Sequence, residues 1–567
     1  MARHYVGCCR GVVAASVAAR VASRPRATIP HVSAKNLAAI IGALAVAAGL
    51  AVVPSSPPAQ ARPAPAAAAT GAFRAAPVGW QRCKDPGLRQ AKAQCGYLVV
   101  PLDYADPAGP TIQLAVSRVL HTKGPYRGAA FANPGGPGGS ALQYSQLGGA
   151  VPHGVGRTYD WYGMDPRGVG ASIPALSCDP TYSNTQHLPY QPTTTAILGY
   201  WLAKTEAYAA ACGASAAKDL LPHLKTTDNV ADFESLRTAI GQAQVTYYGF
   251  SYGTYIGQVW ATLHPGSLKA MVLDGVVDPG RVFYQGNLDQ DHAFGIVYKK
   301  FFTWIGKYDR QFRLGHTGRQ VGKRIAKLHK QLSRKPARGR LGAAELEDVL
   351  TSAGYTNQAW PTVADALAAL ANRGTAGPLL QLAKRDKGPK ADNGYAMYLA
   401  TECTDAPWPK DWNVWAADNA AADRDSPFLA WGNAWFNAPC RTWPVAGNAA
   451  AFVVSGAAFT GPVLITNETY DGATPFSGAL AARALFPTAS LIEGKGGTTH
   501  AASLSGVSCV DDAIAALLEK GRLPHRKAGG GPDKKCPGLA APGISSQGGR
   551  SARVLPGAPV PRLLALP

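Results

Sequence analysis

A serine flanked by glycines, Gly249-Phe250-Ser251-Tyr252-Gly253, follows the apolar run Val245-Thr246-Tyr247-Tyr248 and precedes a helix-compatible stretch from Tyr255 to Leu263. Strand, tight turn and helix in that order present a serine hydroxyl at the tip of the turn, with a helix N-terminus behind it. Gly249 and Gly253 suit a turn that neighbouring chain passes closely, where a side chain would collide. A serine hydroxyl is a poor nucleophile near neutral pH; it needs a base, and the base needs an orienting carboxylate. In elbows of this kind the three follow one another along the chain as Ser, Asp or Glu, then His. Of twelve histidines, His500 and His525 follow the strand-like Pro462–Thr466 run. His500 lies in a glycine loop directly after a short strand and is the candidate base, whereas His525 sits among Arg, Lys and Gly near the tail. For the carboxylate, Asp471 heads an Asp-Gly-Ala-Thr-Pro turn and is the first candidate, with Glu468 and Asp274 as alternatives.

An acyl-transfer site also needs donors for a developing oxyanion. Asn133-Pro134-Gly135-Gly136-Pro137-Gly138-Gly139-Ser140 holds four glycines and two prolines in eight residues, too irregular for helix or ladder. Following the buried-strand candidate Ala129–Ala132, its bare backbone offers a second donor. The expected oxyanion hole is the Tyr252 N–H with that of Gly135 or Gly136, each worth roughly 3 kcal/mol to the transition state.

The elements that must position these groups alternate. Strand-like runs at 110–120, 129–132, 158–165, 245–250, 270–274, 462–466 and 489–492 are interleaved with helix-like stretches such as 226–240, read with a Thr227 or Asp228 cap. That alternation predicts a mostly parallel, doubly wound α/β sheet. The interval 279–461 lacks a core strand, is helical and aromatic in composition, and is too long for a loop. It is expected to be a cap domain inserted before the acid-bearing strand, splitting the core into 77–278 and 462–540. Beyond 540 the Gly/Pro/Ala-rich tail, 541–567, is expected to be disordered. Arg167, in Asp165-Pro-Arg-Gly, is read as a buried tie between loops.

At 567 residues, 46% hydrophobic and 16% charged, the composition is that of a folded protein with ample core. The formal charge is +21, and residues 299–340 carry fourteen Lys/Arg against one acid, Asp309. No zinc-knuckle, helix-turn-helix or RNP-like pattern accompanies that charge, so nucleic acid is not an expected partner. A basic N-terminus, the apolar run Leu37–Val53 and Ala59-Gln60-Ala61 read as an export signal, 1–61, cleaved after Ala61 and leaving no membrane insertion. Residues 62–76 have linker or propeptide composition. Eight cysteines remain, in four sequence-local pairs: Cys83 with Cys95, Cys178 with Cys212, Cys403 with Cys440, and Cys509 with Cys536. That even set fits disulfides in an exported protein, and its spacing is not that of a zinc cluster. Nothing points to a metal or organic cofactor.

Cys95-Gly-Tyr-Leu-Val-Val-Pro-Leu-Asp-Tyr104, Asn133–Ser140, Asp165-Pro-Arg-Gly-Val-Gly-Ala-Ser172, Gly249-Phe-Ser-Tyr-Gly-Thr-Tyr255 and Asp471-Gly-Ala-Thr-Pro475 with Gly496 to His500 together resemble a known family. It is that of the secreted tripeptidyl aminopeptidases of filamentous actinobacteria, relatives of prolyl iminopeptidase. The resemblance runs from about Trp80 to Cys536. It implies the α/β-hydrolase fold, a triad of Ser251, Asp471 and His500, and unblocked peptide N-termini as substrate. Such an exopeptidase must meet the free amine with a carboxylate, and three extended residues span roughly 10 Å. Glu402 and Asp405, beside Cys403 in the expected cap, are the candidates for that anchor. A carboxylesterase or lipase using the same triad, or a non-catalytic basic surface-binding protein, are the alternatives.

Overall fold

The computed structural model describes residues 73–184, 188–384 and 387–544. The expected export signal and most of the expected linker lie outside these residues. The linker's described end, 73–76, packs on the core, with Phe73 edge-on to Tyr104.

Among the described residues ten strands form one sheet. They are β1 Gln81–Arg82, β2 Gln94–Pro101, β3 Thr111–Val119, β4 Ala129–Asn133, β5 Asp160–Met164, β6 Val245–Phe250, β7 Leu268–Asp274, β8 Val463–Glu468, β9 Ala489–Lys495 and β10 Lys534–Pro537. Their order is β1-β2-β3-β5-β4-β6-β7-β8-β9-β10. β1, β2 and β3 pair antiparallel at one edge; from β5 through β4 to β10 every pairing is parallel. β4, β6 and β8 are buried along their whole length, so they are near-continuous apolar runs, whereas β3 begins by alternating. This is the α/β-hydrolase sheet. Because the central strands are parallel, the turns after β4, β6, β8 and β9 all emerge at one edge, which is where a site can be assembled from distant sequence.

Between β7 and β8 the chain is helical, and its helices serve two cores. Tyr284–Lys307, Gly318–Arg334, Ala343–Tyr355 and Trp360–Arg373 bury Phe294, Phe301, Ile325, Leu350 and Leu367 in a cluster of their own. Helix Pro389–Asp405 instead places Tyr395, Met397 and Leu399 in the same cluster as Leu98, Phe131 and Tyr247 of the sheet. Its close approach explains the glycine loop: a Cβ on Gly138 (φ 91°) would lie 2.4 Å from the Gly394 carbonyl oxygen.

Arg167 is a tie, as expected. It is fully buried, bidentate to Asp232, and donates to the Leu102 and His223 carbonyls. Helix Thr226–Ala239 is capped differently from the expected Thr227 or Asp228 N-cap: Asp228, in its first turn, reaches back to accept from the Lys225 N–H. Cys83–Cys95, Cys178–Cys212, Cys403–Cys440 and Cys509–Cys536 are disulfides. No helix of the described residues is long and apolar enough to cross a membrane.

The tail needs correcting. Residues 541–544, expected to be disordered, continue a strap that leaves β10 and crosses onto the helical insertion. The carbonyls of Leu539, Ala540 and Pro542 accept from Asn357, Gln358 and Trp304, and Ala541 and Ile544 pack on the insertion's core. Low side-chain information in that stretch concealed a backbone satisfied by distant donors. Residues 545–567 lie outside those described.

Candidate active site

Ser251 stands between β6 and helix Tyr252–Leu263 with φ 54° and ψ −129°, a backbone that non-glycine residues seldom adopt and that functional turns retain. The turn is held from both sides. The Ser251 N–H donates to the Asp274 carbonyl at 3.0 Å, and its own carbonyl accepts from the Thr254 N–H and hydroxyl. A Cβ on Gly249 would meet the Gly253 carbonyl oxygen at 2.4 Å, and one on Gly253 the Asn133 carbonyl oxygen at 2.7 Å. Both elbow glycines are therefore required by close passes.

His500 follows β9, and its Nδ1 lies 2.9 Å from Asp471 Oδ2. Asp471, buried after β8, also accepts from the N–H groups of Ala473 and Thr474 and from the Thr474 hydroxyl, each at 2.9 Å. Burial alone would lower the imidazole's pKa. The Asp471 charge and hydrogen bond, with a further contribution from Asp274, outweigh it and hold the pKa above the ordinary histidine value. His500 Nδ1 and Cε1 lie 3.1 and 2.9 Å from where a Cβ on Gly275 would stand, and Gly275 directly follows the residue that holds Ser251. The serine turn and the His500–Asp471 pair thus flank Asp274–Gly275.

The two alternative acids have other duties. Asp274 accepts from the Ser503 N–H and hydroxyl, pinning the chain just after His500, and burial pushes its carboxyl up to about 6. Glu468 accepts from the N–H groups of Thr499 and Leu539, pinning the chain just before it; burial pushes Glu468 up to about 8. His525 has no place in this cluster; it lies between helix Ser508–Lys520 and β10.

On the oxyanion side, a Cβ on Gly135 (φ 85°) would sit 2.7 Å from the Tyr252 nitrogen. The Gly135 N–H is already donated to Asn133 Oδ1 at 2.8 Å, so Gly135 supplies proximity and no free donor. Gly136 lines the same pocket as Ser251 and Tyr252.

This geometry can be set beside known proteins. Residues 426–536 match the family model described as TAP-like protein. Over 479 residues the chain is 36% identical to the tripeptidyl aminopeptidase of Streptomyces lividans, covering 81% of this chain and 88% of that one. The chain belongs to the tripeptidyl aminopeptidase family. Within reach of that family, it is 29% identical over 486 residues to serine protease Hip1 of Mycobacterium tuberculosis, covering 79% of this chain and 90% of that one. It is also 31% identical over 449 residues to a carboxylesterase B of the same organism, covering 76% of this chain and 85% of that one.

In this family member the pocket around Ser251 is walled by the insertion. Asn287, Tyr355, Tyr398, Glu402, Asn433 and Phe436 line it opposite Gly136, Ser251 and Thr474. Glu402, expected as an amine anchor, is in the wall and buried. Burial pushes its carboxyl up to about 8, although Tyr398 and Asn287 hydrogen-bond to it. Among the described residues Glu402 is joined to no cation. Asp405, the other expected anchor, is not in the wall: its two oxygens accept from the N–H and hydroxyl of Thr226, at the start of helix Thr226–Ala239. Each of its oxygens is engaged by Thr226 and neither lines the pocket, so here it clasps the insertion to the start of that helix.

Tyr355 and Thr474 were not singled out from sequence. The Tyr355 carbonyl accepts the His500 N–H at 2.8 Å, and its ring meets the imidazole edge-on at 5.8 Å. Thr474 lay within the Asp-x-x-Thr-Pro pattern, which was a usable signal; Tyr355, 145 positions before His500, had none.

Proposed function

We propose that this chain is a serine exopeptidase that releases short peptides, tripeptides on its relatives' example, from free N-termini. Ser251 Oγ attacks the carbonyl of the scissile bond as His500 takes its proton, and Asp471 holds the imidazole in the tautomer that can accept it. The Tyr252 and Gly136 N–H groups receive the oxyanion. His500 then protonates the departing amine, and water, activated by the same imidazole, releases the acyl group from Ser251. The signal-like character of residues 1–61 in the sequence and the four disulfides support action outside the cell.

The observation that carries the exo-acting part is Glu402, a buried carboxyl group in the Ser251 pocket with no cation of its own among the described residues. A carboxyl raised to about 8 by burial is short of a positive partner, and a substrate's α-ammonium would supply one through a charge-assisted hydrogen bond. The test compares free and N-acetylated tripeptide nitroanilides, with simple esters alongside, on wild type, Glu402→Gln and Ser251→Ala. Ser251→Ala should lose turnover by several orders of magnitude, on the order of 10⁴–10⁶, and lose fluorophosphonate labelling. Glu402→Gln should lose most of the preference for the free amine while keeping labelling. A wild type indifferent to N-acetylation would refute the exopeptidase reading. Turnover of esters alone would favour the carboxylesterase alternative.

A further inference from the structure

Helix Gly318–Arg334 of the insertion contains six Lys/Arg and no Asp or Glu. Five of them, Arg319, Lys323, Lys327, Lys330 and Arg334, are spaced at four, four, three and four residues, and all are exposed. At 100° per residue these five fall within an arc of about 80°, and at 1.5 Å per residue they form a row roughly 22 Å long. The opposite face is the buried one, carrying Val321, Ile325, Leu328 and Leu332. The row therefore lies wholly on the solvent face of the helix, with no side chain of the core among it.

Its neighbours leave it uncompensated. The ion pairs closest in sequence are His316 with Asp309 and His329 with Glu347, and neither involves the row. Among the described residues none of the five is joined to a carboxylate. Like charges at i, i+4 repel and weaken a helix, so the arrangement opposes the stability of the element that carries it. Exposed Lys335, Arg338 and Arg340 extend the charge past the helix end.

We infer that this row is a docking surface for a linear, phosphate-rich polyanion. A single file of cations, one per helical turn, matches a chain of regularly repeated anions. A bilayer would also be met by large apolar side chains, and none stands in this file: the exposed positions beside it are Gln320, Arg324, Ala326, Gln331 and Ser333. None of the five lines the Ser251 pocket, so docking and hydrolysis are separable. Bound this way, an exported peptidase is held at an anionic envelope polymer with its active site free.

The experiment titrates the full-length protein, and a variant with all five changed to Gln, with long-chain inorganic polyphosphate at 50–200 mM salt. Vesicles of anionic lipid form a parallel arm. Wild type should bind polyphosphate, and its affinity should fall about 100-fold across that salt range if five phosphates are neutralised, since each contributes about 0.7 to the logarithmic slope. The five-Gln variant should bind at least about tenfold more weakly, with a flatter slope, while its helical circular dichroism and its nitroanilide hydrolysis stay at wild-type levels. Arg319→Lys with Arg334→Lys, which keeps the charge, should retain binding. Absence of wild-type binding at 50 mM salt, unchanged binding by the five-Gln variant, or capture by vesicles but not by polyphosphate would each overturn the proposal.

Discussion

Asp471 accepts from two backbone N–H groups, a hydroxyl and the His500 imidazole. Such a carboxylate is fixed in place, and it fixes the ring in turn. The consequence is visible in pH dependence. In the proposed role of general base His500 must be neutral to take the serine proton, so kcat/KM should fall as pH drops through its pKa. Because that pKa is held above the ordinary value, the midpoint should lie above about 6.5. In Asp471→Asn the stabilising charge is gone and burial, which lowers the pKa, remains. Residual activity, down by about 10⁴ on the pattern of other triads, should then titrate at lower pH than wild type. A midpoint unmoved or moved upward would show that Asp471 does not set the imidazole's charge.

The loop between β9 and helix Ser508–Lys520 carries His500 and is clamped from outside itself. Glu468 holds Thr499, Asp274 holds Ser503, and Tyr355 of the insertion holds the His500 N–H. Glu468 also takes the Leu539 N–H of the strap, joining loop and tail through one carboxylate. Glu468→Gln has one oxygen for two donors and turns an NH₂ toward the second. It should lower kcat about tenfold with little change in KM, and cost about 1–3 kcal/mol in denaturant unfolding, the range for a buried donor left unpaired. A loss of stability with kcat unchanged would mean the clamp serves the fold alone. The strap's upstream end is tied by Cys509–Cys536.

Across the whole molecule, several acids are buried without a cation. Burial pushes Glu402 and Glu468 up to about 8, Asp405 to about 7 and Asp274 to about 6. Raised carboxyls hold their protons in the folded state. Their stabilisation is complete below the unfolded values near 4 and is lost as pH climbs through about 6 to 8. Asp533 works the other way, held at about 2 beside Arg483 despite its burial, but its loss falls between about 4 and 2. Tm should therefore be higher at pH 5 than at pH 8.5, by roughly 5 °C or more. A flat or rising Tm over that interval would contradict the assignment of these buried acids.

The turn at Ser251, the loop after a strand that carries His500, and the sheet that presents both were legible in the chain itself. The tight turn, passed closely by other chain, demands glycines two residues either side of the serine, and buried parallel strands demand unbroken apolar runs. Both requirements leave their signal in consecutive residues, even where the chain that imposes one of them, Asn133 against Gly253, is distant in sequence. The choice among Asp471, Glu468 and Asp274 was not local, because all three follow or end adjacent parallel strands and all three are buried. What separated them was which donors the fold brought to each: the imidazole to Asp471, Thr499 and Leu539 to Glu468, Ser503 to Asp274. The same holds for Asp405, taken by Thr226 from 179 residues away, while Glu402 three residues earlier opens on the pocket. A buried polar group acts through whatever completes its hydrogen bonds, and in this chain those partners come from tens to hundreds of residues away.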